Sequence, residues 1–446
     1  MTNFEKIEDN KIKITFSVGP DALEKALDTA YKRKKDGIAI PGFRKGKITR
    51  KIIETRLGED VFLPDAVNIA LQEAYPKAVN DLPEELVTAS HPEIGLLNVN
   101  RGAGAEFEAK IHLLPEAAPG NYKGLTYKPF DAEITEEELQ RAIEFDRDKN
   151  ARLVTVTEPR PIKDGDSVII DYEGFLGEEA FEGGAAKEYE LIVGSGTFIA
   201  GFEEQLIGHN LQEEFEIGVK FPEEYHSKDL AGRDAVFKIR VNEIRDRILP
   251  ELDDDFAQDV SDFDTFAEYK EDLRRRMKAS AEDSAAQKRD AQIIEEFVKG
   301  YEVTIPPEVL EYAIDEEQDN LAAELRYRYM TITQYCDRLG LNRDSLREIL
   351  RPRAEETVKL KAGLLKVAEL ENVTTDEEAL RERMKESGLS EAQLGDVFSG
   401  DAKYADFIKD MRVKARMYKA NQIICEAGTP DPQKEISDAL AEQFSM

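Results

Sequence analysis

The sequence predicts a multidomain α+β protein, because three stretches of different character follow one another along its 446 residues. Between Ile12 and Val18 every second residue is apolar, which indicates a half-buried strand. Short apolar runs separated by glycines fill residues 165–243 and indicate a small antiparallel β domain. Beyond Pro250 glycine becomes rare, and long segments with helical apolar spacing appear. We therefore expect an N-terminal α+β domain, an antiparallel β domain and an all-α C-terminal domain.

The N-terminal domain is expected to span residues 1–115. Gly19-Pro20-Asp21 ends the first strand and starts a helix, because glycine and proline interrupt strands and Pro is favoured at helix starts. The apolar residues from Leu23 to Tyr31 follow the spacing of one helical face. The other elements of this domain are predicted as helices at 52–57 and 61–78 and as a strand at 107–113.

Proline-rich junctions separate the later segments. A charged stretch at 133–150 indicates a solvated helix, so residues 116–160 are predicted to be a linker. Residues 161–246 form the predicted β domain and residues 247–446 the predicted helical domain. Strands are predicted at 168–170, 189–193 and 235–241, and long helices at about 264–300, 307–330, 345–372 and 376–390.

Charge is distributed unevenly. The chain carries 61 basic and 93 acidic residues, a net charge of −32, which disfavours binding to nucleic acid. The segment from Lys32 to Arg56 nevertheless holds ten basic and two acidic residues, a local charge of +8. Such a cationic segment in an acidic protein indicates an anionic partner at this one place.

Several classes of protein are disfavoured by composition. No run of 18 apolar residues exists, so we expect no membrane-spanning helix and no membrane partner. The two cysteines and four histidines show no metal-ligand spacing, so we expect neither a metal nor another cofactor. Two distant cysteines in so long a chain suit the reducing cytoplasm.

A glycine-bounded basic loop lies inside the cationic segment. In the run from Pro41 to Lys47, Phe43 stands beside Arg44 and Lys45. Glycines allow tight turns that present their neighbours outward, so the aromatic ring can stack while the cations contact phosphates or acidic protein. An ordinary solvated hairpin with a core-facing phenylalanine fits the same residues, and both readings stay open on this motif alone.

The loop resembles the Gly-Phe-Arg-x-Gly-Lys signature of the trigger factor family, and the domain order behind it is similar as well. The resemblance implies a ribosome-binding domain that docks on the large subunit near the exit tunnel, against protein and rRNA. Many members continue with an apolar residue and proline, where this chain has Ile48 and Thr49. The ribosome-binding residues implied are Gly42, Phe43, Arg44, Lys45, Gly46 and Lys47.

The β domain is rich in aromatic residues but shows neither a nucleophile–base pair nor a phosphate loop. Some of these rings must simply fill the core of a small domain. A pocket of aromatics suits a reaction that breaks no covalent bond, and rotation about a prolyl peptide bond is such a reaction. Its barrier, about 18–20 kcal/mol, comes from amide resonance. A dry apolar site disfavours the charge-separated resonance form.

The segment resembles FK506-binding (FKBP-type) prolyl isomerases over most of its length. Phe202 stands where the family often has a tryptophan on a short helix, and the run Phe221 to His226 matches the family's flap. Glu182 and Gln205 depart from the usual Asp and Gly. By this resemblance the residues that line the proline site are Tyr172, Phe181, Phe198, Ile199, Phe202, Tyr225 and Phe237.

The helical half resembles the chaperone body of trigger factors, in segments such as 306–310 and 351–355. The resemblance implies a cradle that binds nascent and unfolded polypeptides, keeping them open for folding or export. Shallow apolar patches rimmed by charge would hold such chains weakly. We leave open a weak homodimer of the free protein.

Two other functions fit parts of the sequence. A housekeeping prolyl isomerase with solubilising flanks would not need a local charge of +8. An RNA-binding scaffold with an inactive β domain would not need every pocket position to be filled. The first alternative predicts no ribosome binding, and the second predicts no isomerase activity.

Overall fold

The computed structural model separates the chain into two compact units, residues 1–130 with 286–446, and residues 131–285. It describes the whole chain except Met1, Asp9, Gly42, Arg44, Lys45, Pro159, Glu178, Glu224, 226–229, Asp376, Ser387, 400–403 and Met446, and except the side chains of Glu182, Glu386, Asp406, Glu442 and Ser445.

The first unit begins with an antiparallel sheet of order β1-β2-β4-β3. The alternation predicted near the N-terminus is confirmed, because Ile12, Ile14, Phe16 and Val18 are all buried. Pro76 lies inside the helix predicted at 61–78. The elements are β1 (Asn3–Glu8), β2 (Lys11–Val18), α1 (Pro20–Lys34), α2 (Arg50–Leu57), α3 (Leu63–Asn80), β3 (Glu93–Asn100) and β4 (Gly104–His112).

The helical part of this unit packs long helices side by side. Gly363 allows a close helix approach, because a side chain there would collide with Tyr301, whose hydroxyl donates to the Lys359 carbonyl. A short parallel pair joins β5 (Thr126–Tyr127) to β11 (Thr429–Pro430). The helices are α7 (Pro307–Tyr327), α8 (Ile332–Leu339), α9 (Arg343–Leu370), α10 (Glu377–Glu386), α11 (Glu391–Val397), α12 (Ala405–Glu426) and α13 (Asp438–Ser445), preceded by α6 (Phe266–Lys299).

The second unit contains a five-stranded sheet of order β6-β10-β7-β8, with β9 also paired to β10. The predicted strands are present and longer than expected. Strand β9 was not predicted, although Phe215, Ile217 and Val219 alternate with exposed residues. The short helix is a single 3₁₀ turn, Glu204–Leu206. The strands are β6 (Arg152–Thr155), β7 (Ser167–Leu176), β8 (Glu179–Ile192), β9 (Glu214–Lys220) and β10 (Asp234–Ile248).

Helix α4 (Glu136–Lys149) corresponds to the predicted linker helix, but it is not wholly solvated. Leu139 and Ile143 are buried in a small core with Phe256 of α5 (Asp254–Val260) and Tyr269. Thr135 and Glu138 form a capping box that starts the helix. The predicted solvation is therefore wrong for one face, because two apolar residues one turn apart find a partner surface that is distant in sequence.

Candidate functional sites

An aromatic cluster fills one face of the five-stranded sheet around Tyr172. Its ring centre lies 5.4 Å from that of Phe198, 6.2 Å from Phe202 and 6.1 Å from Phe237. The register explains part of this contact, because β7 and β10 pair Tyr172 with Ile239 and Gly174 with Phe237. Residues two apart on a strand share a face, so these side chains converge on one side of the sheet.

Phe202 lies at the bottom of the cluster. Its side chain is 0% exposed, and its ring stacks on that of Phe198 with 4.2 Å between centroids. Phe237 meets it edge-on at 5.2 Å. Ile199, next to Phe198, is partly buried against the same core. The stacked pair therefore forms an apolar floor, with Phe198 as the half-exposed member.

Phe181 and Phe221 form the second side of the cluster. The Phe181 ring lies 5.8 Å from Phe237 and 5.9 Å from Phe221, whose ring is 4.8 Å from Tyr225. Phe181 also packs against the backbone of Gly174, where an added Cβ would come within 2.6 Å of the ring. The absence of a side chain at Gly174 therefore makes room for two aromatic rings.

The polar side-chain groups of the described cluster are tyrosine hydroxyls. Burial, followed by the neighbouring Tyr189 and Tyr225, raises the pKa of Tyr172 above its ordinary value, so its hydroxyl stays protonated at neutral pH. The described cluster thus consists of aromatic rings and hydroxyl groups. This arrangement suits binding and twisting of an apolar group better than proton transfer.

The basic loop of the first unit exposes its aromatic residue. The Phe43 side chain is 44% exposed, and its N–H donates to the Ile40 carbonyl over 3.1 Å. The reading with a core-facing Phe43 is therefore wrong. Gly46 adopts a left-handed φ of 76°, and Lys47 is exposed. Gly42, Arg44 and Lys45 lie outside the described residues.

Not every basic side chain between Lys32 and Arg56 is exposed and free to contact an anionic partner. Arg50 is mostly buried and binds Glu24, Asp28 and Glu54 at 2.8, 2.6 and 2.8 Å. Burial alone would lower the pKa of Arg50, but these three carboxylates outweigh it and raise that pKa. Lys32 and Arg33, by contrast, are exposed at the end of α1. Arg50 therefore stabilises the domain, whereas the end of α1 and the loop carry the outward charge.

Three family models match the chain. A model described as bacterial trigger factor protein matches residues 1–145, one for FKBP-type peptidyl-prolyl cis-trans isomerase matches 158–242, and one for the trigger factor C-terminus matches 265–394.

Curated relatives agree over most of the length. The trigger factor of Alkaliphilus metalliredigens is 38% identical over 90% of this chain and 93% of its own, and that of Agathobacter rectalis is 37% identical over 92% of each. The chain belongs to the trigger factor family. A solved trigger factor chaperone, studied for promiscuous substrate recognition in folding and assembly, is 22% identical over 95% of this chain and 99% of its own, with a TM-score of 0.40.

As a member of the trigger factor family, the protein is a ribosome-associated chaperone with peptidyl-prolyl cis-trans isomerase activity. It binds ribosomes and nascent chains. The family matches cover both flanks of the β domain, so the flanks are more than solubilising extensions of a housekeeping isomerase. The isomerase match also argues against a scaffold with an inactive β domain.

The structure brings all seven predicted pocket residues of this trigger factor family member into or against one cluster. It adds two that the sequence reasoning did not select, Tyr189 and Phe221. The Tyr189 ring lies 5.8 Å from Tyr172 and 5.4 Å from Phe198. The high aromatic content of the segment was the one sequence feature that pointed to these two residues. Which rings contact each other is known only from the folded structure.

None of the described helices combines the length and apolar character that crossing a bilayer requires. Within the same described part of the chain, no group of three or more His, Cys, Asp or Glu side chains is arranged to hold a metal ion.

Proposed function

We propose that the aromatic cluster is the site at which an X-Pro bond is bound and isomerised. The residues assigned to it are Tyr172, Phe181, Phe198, Ile199, Phe202, Tyr225 and Phe237. The main support is the stacked floor of Phe198 on Phe202, enclosed by Tyr172 and Phe237. An apolar floor disfavours the charge-separated amide, so the twisted transition state is bound better than the planar ground state.

Replacing Phe202 with alanine tests this assignment. We expect kcat/KM for a short proline peptide to fall about tenfold or more, because the floor is lost. The matched control is Phe175→Ala on the same strand as Tyr172, where the half-exposed ring contacts Lys238 instead of the cluster. Full activity of a folded Phe202→Ala protein would contradict the assignment.

We propose, second, that the basic loop docks on the large ribosomal subunit near the exit tunnel, against both protein and rRNA. Gly42, Phe43, Arg44, Lys45, Gly46 and Lys47 are the assigned residues. Support comes from the exposed Phe43 and Lys47 and from the +8 charge of the surrounding segment. A partner at the exit tunnel also favours the cytoplasm as the place of action, with no need for a membrane.

We propose, third, that the domains divide the work. Residues 1–115 bind the ribosome, 116–160 form a linker, 161–246 isomerise prolyl bonds and 247–446 hold unfolded chains open for folding or export. Apolar side chains such as Tyr327, Leu339 and Ile349 are exposed on the helical part, which suits weak binding of unfolded chains. Self-association of the free protein stays a prediction, which sedimentation velocity can test.

Deleting the five-stranded β sheet tests which domain binds unfolded chains. Because β6 pairs with β10, the deletion should cover residues 152–248 and remove all five strands together. We expect the shortened protein to lose isomerase activity but still suppress aggregation of a refolding protein. Phe202→Ala in the full chain is the control, since it removes the pocket floor alone. If the deletion variant fails to suppress aggregation while the Phe202→Ala protein still suppresses it, binding of unfolded chains would be assigned to the β domain.

A further inference from the structure

A buried carboxylate binds the loop that carries one ring of the aromatic cluster. Glu203 follows the floor residue Phe202, and its side chain is 6% exposed. Oε2 accepts the N–H of Gly196 at 2.9 Å, and Oε1 accepts the N–H of Phe198 at 3.0 Å. The Ser195 hydroxyl lies 3.3 Å from Oε1. Both oxygens thus accept from the loop that leads to Phe198.

Only a carboxylate satisfies this arrangement. A glutamine has the same shape, but one of its two terminal atoms carries hydrogens and would face a backbone N–H. Burial by itself would raise the pKa of Glu203, whereas the N–H bonds from Phe198, Gly196 and Gly194 outweigh it and keep that pKa below its ordinary value. The side chain therefore stays ionised at neutral pH and binds the loop as an anion.

The loop needs such a support because its backbone is irregular. Gly194 and Gly196 adopt left-handed φ angles of 90° and 70°. The segment leads to Phe198, whose ring covers Phe202 and lies 5.4 Å from Tyr172. Any displacement of the Phe198 backbone would move the Phe198 ring relative to the Phe202 ring beneath it.

We infer that Glu203 is a positioning residue of the isomerase, and that its carboxylate holds residues 194–198 so that Phe198 stands over Phe202 in the geometry that binds proline. This inference rests on the proposed role of the cluster. Glu203 itself does not touch the substrate. Its contribution is to keep the Phe198 side of the floor in place before the substrate binds, which lowers the free-energy cost of reaching the productive geometry.

The first test compares Glu203→Gln with Glu204→Gln. Glu204 is the adjacent carboxylate and is exposed, so it serves as a matched control. We expect Glu203→Gln to lower kcat/KM for a proline peptide about tenfold or more, measured well below the melting temperature, and Glu204→Gln to stay within about twofold. Unchanged kcat/KM in a folded Glu203→Gln protein would overturn the inference.

A spectroscopic measurement separates positioning from simple stability. The chain contains no tryptophan, so Phe202→Trp introduces a single reporter under the Phe198 ring. Adding Glu203→Gln should shift its emission to the red, because the floor becomes exposed to water, whereas adding Glu204→Gln should not. A lower melting temperature with unchanged emission and unchanged kcat/KM would assign Glu203 a purely structural role and overturn the inference.

A second variant, Gly196→Ala, perturbs the backbone of the same loop. It tests the inference even if the Glu203→Gln protein does not fold. Gly196 and Gly177 share a φ of 70°, and an added Cβ would meet no atom within 4 Å at either position. Gly196→Ala should lower kcat/KM, whereas Gly177→Ala, in the turn between β7 and β8, should not. Equal effects of the two changes would overturn the inference.

Failure of the inference can be told apart from failure of the proposed site. If Phe202→Ala keeps full activity, the cluster is not the proline site, and the role of Glu203 falls with it. If Phe202→Ala loses activity while both Glu203→Gln and Gly196→Ala keep it, the site stands and only the positioning role is overturned.

Discussion

At the scale of single residues, the proposed proline site depends as much on a missing side chain as on the rings themselves. Gly174 sits opposite Phe237 in the β7–β10 register, and the rings of Phe181 and Phe237 occupy the space over its Cα. An added Cβ would lie 2.6 Å from Phe181 and 2.7 Å from Phe237. Real Cβ contacts are not so short, so one or both rings would have to move.

Gly174→Ala is therefore expected to displace the pocket rings. We predict a loss of about 1–3 kcal/mol in the free energy of unfolding, because the core is overpacked, together with a fall in kcat/KM for a proline peptide. Urea denaturation and a peptide isomerisation assay measure the two effects. Gly218→Ala on β9 is the matched control, since an added Cβ there meets nothing within 4 Å. Equal stability of the two variants would contradict the packing argument.

At the scale of elements, a buried carboxylate joins α7 to α9. Glu317 is 5% exposed and accepts the Thr357 hydroxyl over 3.0 Å, while the Arg353 guanidinium lies 3.0 Å from its other oxygen. A buried charge is tolerated only when its hydrogen-bond partners are present. The contact therefore fixes the register of these two long helices.

Thr357→Val should loosen this pair of helices. The change keeps the shape of the side chain but leaves one carboxylate oxygen without its hydroxyl donor, which costs about 1–3 kcal/mol. Thermal or urea unfolding of the full chain measures the loss. Thr333→Val, at an exposed position of α8, is the control and should change stability by less than about 0.5 kcal/mol. No difference between the two would show that the hydroxyl is dispensable.

At the scale of the whole molecule, the uneven charge decides how the chaperone meets its partner. The net charge of −32 disfavours contact with RNA, so the proposed docking is expected to depend on the cationic segment between Lys32 and Arg56. Binding by such charges weakens with salt, because counterions screen them.

Reversing the charges of Arg44 and Lys45 to glutamate should weaken ribosome binding about a hundredfold, since two charge-assisted contacts become repulsive. Co-sedimentation at several salt concentrations measures this, and isomerase activity on a peptide should be unchanged. The control is Arg326→Glu with Arg328→Glu, a pair of exposed cations at the C-terminal end of α7. Unchanged binding of the Arg44 and Lys45 variant would refute the docking role.

Local patterns predicted much of the fold. The strands around Ile14 and Phe107 and the long helices α6, α7 and α9 follow from apolar periodicity, because one face of each is buried. Helix α12 was not predicted, and the helix predicted at 376–390 is shorter than expected, because α10 ends at Glu386. Edge strands β1 and β3 escaped prediction, since most of their residues are exposed and no buried face imposes a clear alternation. Helix α4 was predicted, but its apolar contacts with distant residues were not.

The sequence alone determined the order of the domains, the cationic segment and the kinds of residue in the pocket, because these depend on composition and local spacing. Only the tertiary structure decided which residues meet. Strand register placed Phe237 over Gly174, and folding turned Arg50 inward to three carboxylates and Glu203 towards the loop before Phe198. Such contacts join side chains and backbone through space, so periodicity along the chain carries no signal of them.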